Sequence, residues 1–161
     1  MVGPSETEAS AGAPAPPDDA GIYLDSSAFA KLYVPETESE RLDAFLRGRR
    51  DLMISELAIT EVLSAVARRK RERELRTDQA NEIGDAVLAD ADSGSFKRLD
   101  LTPLVHREAE RLLLATDLLP LRTLDALHLA LALSGSATHV LTFDRRMREA
   151  AAQAGLRVIE V

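Results

Sequence analysis

Cysteine is absent from the 161 residues. That excludes a disulfide framework and a thiolate zinc site, and it fits a reducing cytoplasm. No apolar run approaches the length of a membrane-spanning helix. The first residues lack the basic region and apolar stretch of a secretory signal. The expectation is a soluble, cytoplasmic protein with no membrane partner. Lysine is scarce: it occurs at Lys31, Lys70 and Lys97, and the rest of the 20 basic residues are arginine. This bias follows genome composition more readily than phosphate binding.

What is plentiful is acid. The formal net charge is −7, which by itself argues against a phosphate backbone as partner. The distribution softens that argument. Residues 1–20 carry Glu6, Glu8, Asp18 and Asp19 and no Lys or Arg. Basic residues gather instead at Arg68, Arg69, Lys70, Arg71, Arg73 and Arg76, interrupted by Glu72 and Glu74. Such a run is either a solvated helix face or a place for phosphates.

The length fits one domain. Residues 1–20, rich in Ala, Pro, Ser and Gly, are expected to be a disordered tail, because ordering them costs entropy without burial in return. From Gly21 to Val161 the pattern alternates strand and helix. Strands are predicted at 22–24, 51–54, 98–101, 139–143 and 157–160. Helices are predicted at 27–34, 38–48, 56–75, 78–91, 103–115, 124–134 and 145–154. Ser26, Ser55, Thr77, Thr102 and Thr123 are the expected caps, Pro103 is the first residue of its helix, and Gly155 closes the last. Strands separated by helices pair in parallel through right-handed crossovers. The expectation is a three-layer α/β domain, whose ligand crevice lies at the C-terminal ends of the strands.

Four carboxylates fall on that side. Asp25 ends the first strand and precedes a helix. Asp144 follows the fourth strand, with Thr142 two residues back and so on its face if the strand continues. Each of the two acids alone reads as an ordinary cap. Asp125 is more informative: from Leu124 to Ser134 its helix is apolar on all sides and should be buried, with Asp125 and His128 as its polar interior positions. A buried carboxylate is costly unless paired, hydrogen-bonded or on a metal. His128 reads as a satisfied core histidine. Glu61 lies just outside the apolar sector of Ala58, Ile59, Val62, Leu63, Ala65 and Val66, pointing to a groove edge. Converging carboxylates repel without cations. An all-oxygen set suits Mg²⁺ or Mn²⁺, ions that activate water and offset charge on phosphate oxygens. Hydrolysis of a phosphodiester is the chemistry such a site supports.

At these residues the chain resembles the PIN-domain family, and more narrowly the VapC-type toxins of toxin–antitoxin pairs. The stretch Tyr23-Leu-Asp-Ser-Ser-Ala-Phe-Ala-Lys-Leu-Tyr-Val-Pro-Glu36 is similar to the family's opening motif, with its acid at Asp25. Ser55-Glu-Leu-Ala-Ile-Thr-Glu-Val-Leu63, Leu121-Arg-Thr-Leu-Asp-Ala-Leu-His-Leu-Ala130 and Leu141-Thr-Phe-Asp-Arg-Arg-Met147 resemble the next three, with Glu61, Asp125 and Asp144. The resemblance spans about 21–161. It implies a five-stranded parallel sheet in the order 3-2-1-4-5, and Mg²⁺- or Mn²⁺-dependent RNA cleavage. It also implies homodimerisation and inhibition by a small VapB-like antitoxin lying over the groove.

On this reading Asp25 and Asp125 are the main ligands of a first metal, with Glu61 and Asp144 completing the cluster directly or through water. Ser26 and Thr142 are expected to orient waters or carboxylates. Arg68, Arg145 and Arg146 are the candidates for RNA phosphates. Two rivals come from other classes. A metal-independent ribonuclease would need paired histidines, and His106, His128 and His139 form no such motif. A phospho-receiver would need an acidic pair and a late lysine, and the last lysine is Lys97. Within the family, a housekeeping nuclease of RNA processing or a silent domain acting through a partner is the alternative to a toxin.

Overall fold

The structure, a computed structural model, describes residues 16–17, 19–115 and 121–161. The tail expected at 1–20 therefore lies, apart from Pro16, Pro17, Asp19 and Ala20, outside the described residues. Its described end is fastened. Arg49 donates to the carbonyls of Pro16 at 3.3 Å and Pro17 at 2.7 Å while paired with Asp51 at 2.6 Å, and Ala20 is buried.

Among the described residues there are five strands and seven helices. In chain order they are β1 (Ile22–Leu24), α1 (Ser26–Ala30), α2 (Ser39–Leu46), β2 (Leu52–Ser55), α3 (Glu56–Arg71) and α4 (Thr77–Asp92). There follow β3 (Lys97–Leu99), α5 (Pro103–Leu114), α6 (Thr123–Ser134), β4 (His139–Leu141), α7 (Arg145–Gln153) and β5 (Arg157–Ile159). All pairings are parallel and the sheet order is β3-β2-β1-β4-β5, as the resemblance implies.

Side chains alternate across the sheet, so the central strands β1, β2 and β4 feed two cores. Tyr23, Met53 and Val140 pack with Val105, Ala109, Leu112, Leu129 and Met147 of α5, α6 and α7. Ile22, Leu24, Ile54 and Leu141 pack on the other face with Phe29, Leu42, Ile59, Val62 and Val87 of α1 to α4. Strands buried on both faces read as short apolar runs, which is why they were legible without alternation. No helix among the described residues is long and apolar enough to cross a membrane.

Element ends depart from expectation for local reasons. Helix α3 stops at Arg71 rather than 75, because Arg73 takes a left-handed backbone at φ 61° and Glu74 N–H turns back to the Arg69 carbonyl. Three expected caps move one residue earlier. Asp25, not Ser26, caps α1, its carboxylate accepting from Ala28 N–H at 3.0 Å. Thr77 and Thr123 are first helical residues, preceded by the extended residues Arg76 and Arg122. There the third helical side chain reaches back instead: Gln79 accepts from Arg76 N–H at 3.0 Å and Asp125 from Arg122 N–H at 3.4 Å. Ser55 and Thr102 cap as expected.

Candidate active site

The strand order reverses between β1 and β4. Successive strands run from β1 to β3 on one side, then cross to β4 and β5 on the other. Neighbouring crossovers leave opposite faces at that point, so a crevice opens at the C-terminal ends of β1 and β4. A cleft of about 420 Å³ lies there, and Asp25, Glu61, Asp125 and Asp144 all line it. The acids come from four elements. Asp25 caps α1, Glu61 is in the second turn of α3, Asp125 is in the first turn of α6, and Asp144 caps α7. Three of them therefore sit at helix N-termini, where the dipole and free N–H groups favour negative charge.

Asp25 is the buried one, at 4% exposure. Both its oxygens are held. Oδ1 accepts from Ser27 Oγ at 2.7 Å and Ala28 N–H at 3.0 Å, and Oδ2 accepts from Thr142 Oγ1 at 2.6 Å. Burial pushes its carboxyl up from the ordinary aspartate value, and those bonds offset the rise only in part. A carboxylate in this position is one that a cation would stabilise.

Asp125 corrects the sequence expectation: it is half-buried, and Thr123 and Leu124 beside it are exposed. Burial begins at Ala126, because the first turn of α6 forms the rim of the cleft and the later turns pack into the core. Glu61 is half-buried. Burial alone would raise its carboxyl, but the hydrogen bonds with His128 and with the Ser26 hydroxyl outweigh burial and hold it below the usual glutamate value. Asp144 is exposed, and its Oδ1 accepts from the N–H groups of Arg146 at 2.7 Å and Met147 at 3.1 Å.

The two expected supporting hydroxyls both touch an acid: Thr142 holds Asp25, and Ser26 reaches Glu61. Ser27, overlooked in the sequence, ties the site together. It donates to Asp25, contacts Thr142 Oγ1 at 3.3 Å and accepts from Phe143 N–H at 2.8 Å. His128 is a satisfied core histidine, as expected, but it also lines the cleft and bonds Glu61 Oε2 through Nε2 at 2.6 Å. Arg68, Arg145 and Arg146 are exposed and stand outside the cleft lining. The Lys or Arg side chain that does line it is Arg122. Its signal was available: it immediately precedes the helix that carries Asp125.

The donor set fits a hard divalent cation: four carboxylates, all oxygen, on one cleft. Among the described residues they are not drawn into a compact cage of three or more acidic or histidine side chains. Each carboxylate is engaged by a hydroxyl, imidazole or backbone N–H, which sets its direction.

The family model described as PIN domain matches residues 22–153. Ribonuclease VapC46 of Mycobacterium tuberculosis is 40% identical over 144 residues, covering 87% of this chain and 97% of that protein. Two solved structures share the fold. VapC20 of Mycobacterium tuberculosis, a toxin that cleaves the sarcin–ricin loop, superposes with TM-score 0.65 at 20% identity over 87% of this chain and 98% of its own. VapBC2 of Rickettsia felis, bound to a DNA fragment from its promoter, gives 0.60 at 15% identity over 86% and 96%. Four acids on one switch-point cleft, the family match and this relative lead to one conclusion: the chain belongs to the PIN-domain family, on its VapC branch.

Proposed function

We propose that the chain is a Mg²⁺- or Mn²⁺-dependent endoribonuclease, a hydrolase of RNA phosphodiester bonds and the toxin of a VapBC-type pair. One observation carries this reading above the rest: Asp25, Glu61, Asp125 and Asp144, from four separate elements, line a single cleft. Asp25 and Asp125 would be the main metal ligands, with Glu61 and Asp144 completing the set directly or through water. When bound, such an ion supplies an activated water and offsets charge on the phosphate oxygens.

The chain's own residues do the rest. Thr142, Ser27 and Ala28 N–H hold the Asp25 carboxylate in one rotamer. Ser26 and His128 do the same for Glu61. Arg122, on the cleft, is suited to an RNA phosphate, and the N-termini of α1, α6 and α7 add favourable potential for an anion. Arg68, Arg145 and Arg146, outside the cleft, would serve only a longer RNA path. The ribonuclease name of VapC46 and the toxin description of VapC20 support RNA as substrate. The VapBC2 structure supports a VapB-like antitoxin as partner. A homodimer belongs to this reading only through the family resemblance.

The test is cleavage of total RNA by the purified protein, with Mn²⁺ or Mg²⁺, with EDTA, and with Asp125→Asn. Cleavage that needs metal and is lost in the variant is the expected result. Cleavage indifferent to EDTA would reject the metal mechanism.

A further inference from the structure

We infer that His128 is a positioning residue: it holds Glu61 in the cleft as the last donor of a buried, one-way hydrogen-bond chain that begins at Ser55. This rests on the reading of Glu61 as a metal ligand. The chain joins four elements. Ser55 Oγ at the end of β2 lies 2.8 Å from Tyr23 Oη in β1, Tyr23 Oη lies 2.7 Å from His128 Nδ1 in α6, and His128 Nε2 lies 2.6 Å from Glu61 Oε2 in α3. Ser55 and Tyr23 are fully buried, and His128 is 4% exposed.

Proton counting gives the direction. A carboxylate only accepts, so His128 Nε2 carries its hydrogen. In the neutral ring Nδ1 is then bare and accepts from Tyr23 O–H. Tyr23 has spent its one hydrogen, so its oxygen accepts from Ser55 O–H. Ser55 Oγ in turn accepts from Ala58 N–H at 3.1 Å. Every hydrogen is used once. The opposite tautomer would set a bare nitrogen against a carboxylate oxygen at 2.6 Å. A doubly protonated ring would reverse the Tyr23 bond and strand the Ser55 hydrogen.

The consequence for Glu61 is that His128 fixes Oε2 and, with the Ser26 hydroxyl, orders the flexible side chain before a cation arrives. Asp125 and His128 are three residues apart and share a helix face. One helix thus supplies a ligand and also positions a ligand on its neighbour. Outer partners of this kind typically change metal affinity by roughly 10- to 100-fold.

The experiment has two readouts on the substrate-free protein. Long-range proton–nitrogen correlation spectra of the imidazoles, recorded in EDTA, should give the neutral Nε2–H tautomer for His128; the Nδ1–H tautomer would overturn the proposal. Mn²⁺ titration followed by electron paramagnetic resonance should give a Kd weaker by roughly 10- to 100-fold in His128→Leu. His128→Gln, which sets an amide nitrogen near the place of Nε2, should stay within a few-fold of wild type. Wild-type affinity in His128→Leu, or equal losses in Leu and Gln, would overturn it. Tyr23→Phe keeps the ring and its packing and guards against a leucine variant that does not fold; it should weaken Mn²⁺ several-fold, and unchanged affinity would count against the chain. Wild type and Asp25→Asn are the references. If wild type takes up no Mn²⁺, the metal reading fails, while the tautomer still decides the hydrogen-bond chain.

Discussion

Thr142 Oγ1 donates a 2.6 Å hydrogen bond to Asp25 Oδ2 across 117 positions of sequence. The bond exists because β1 and β4 are neighbours, with Leu24 in register with Leu141, so the residues that follow each strand meet at the mouth of the cleft. It joins two of the four acid motifs, since Thr142 Oγ1 also accepts from Asp144 N–H at 3.1 Å.

Removing that hydroxyl should cost stability. Thr142 is buried, and Thr142→Val leaves Asp25 Oδ2 and the Asp144 N–H each without a partner. A loss of about 1–3 kcal/mol is expected by urea denaturation, the scale for an unsatisfied buried polar group. Thr142→Ser should recover most of it. A valine variant as stable as wild type would mean that the bond does not hold Asp25 in place.

Asp25→Asn should separate function from stability. Activity should fall by at least ~100-fold, the scale of a lost metal ligand that supplies several kcal/mol in the transition state. Stability in EDTA should be equal or higher. The sign follows from the carboxyl, which burial raises in the folded chain above its unfolded value. Protonation therefore favours the fold: that contribution is fully present below the unfolded value and is lost as pH rises through the folded one. The melting temperature of the variant minus that of wild type should accordingly be near zero in acid and positive at neutral pH. A large destabilisation at neutral pH would make Asp25 a structural cap first.

Asp144 has two duties that substitutions can split. It caps α7 through Oδ1 and faces the cleft. Asp144→Asn keeps a capping oxygen and should melt close to wild type, whereas Asp144→Ala should lose ~1 kcal/mol. Both should lose RNA cleavage. Full activity in Asp144→Asn would remove this acid from the metal set.

Arg122 lines the cleft, whereas Arg68, Arg145 and Arg146 do not. Arg122→Gln should weaken RNA binding and flatten the dependence of log K on log salt by about 0.7–0.9, the value of one phosphate contact. Arg145→Gln should do less, because its guanidinium stands in the open beside Glu149 at 3.9 Å. The comparison can be made by filter binding of RNA in the Asp125→Asn background, where cleavage is expected to be lost. An unchanged salt slope in Arg122→Gln would leave RNA with no contact at that arginine.

Much of this architecture was legible in order along the chain. Short apolar runs, hydroxyl residues before helices and Pro103 at a helix start are local signals, so element order followed from local chemistry. Glu61 was read at a groove edge from helical periodicity alone, and it is half-buried there. Periodicity failed at Asp125, since an all-apolar helix reads as buried along its length although its first turn projects to a rim. Ser27 was missed because three successive residues, Asp25, Ser26 and Ser27, all look like caps, and only the packed backbone decides which oxygen meets which hydrogen.

By itself, then, the sequence determined the succession of strands and helices and the identity of four acids at strand ends or helix starts. Those properties depend on neighbours a few residues apart. The tertiary structure alone decided that Asp25 carries the burial, that Thr142 and Ser27 hold it, and that Ser55, Tyr23 and His128 form a line ending at Glu61. It also decided that Arg122 is the cation at the cleft. These facts depend on which strands pair and which rotamers fit between packed layers, and such contacts join residues up to 117 positions apart that no local pattern connects.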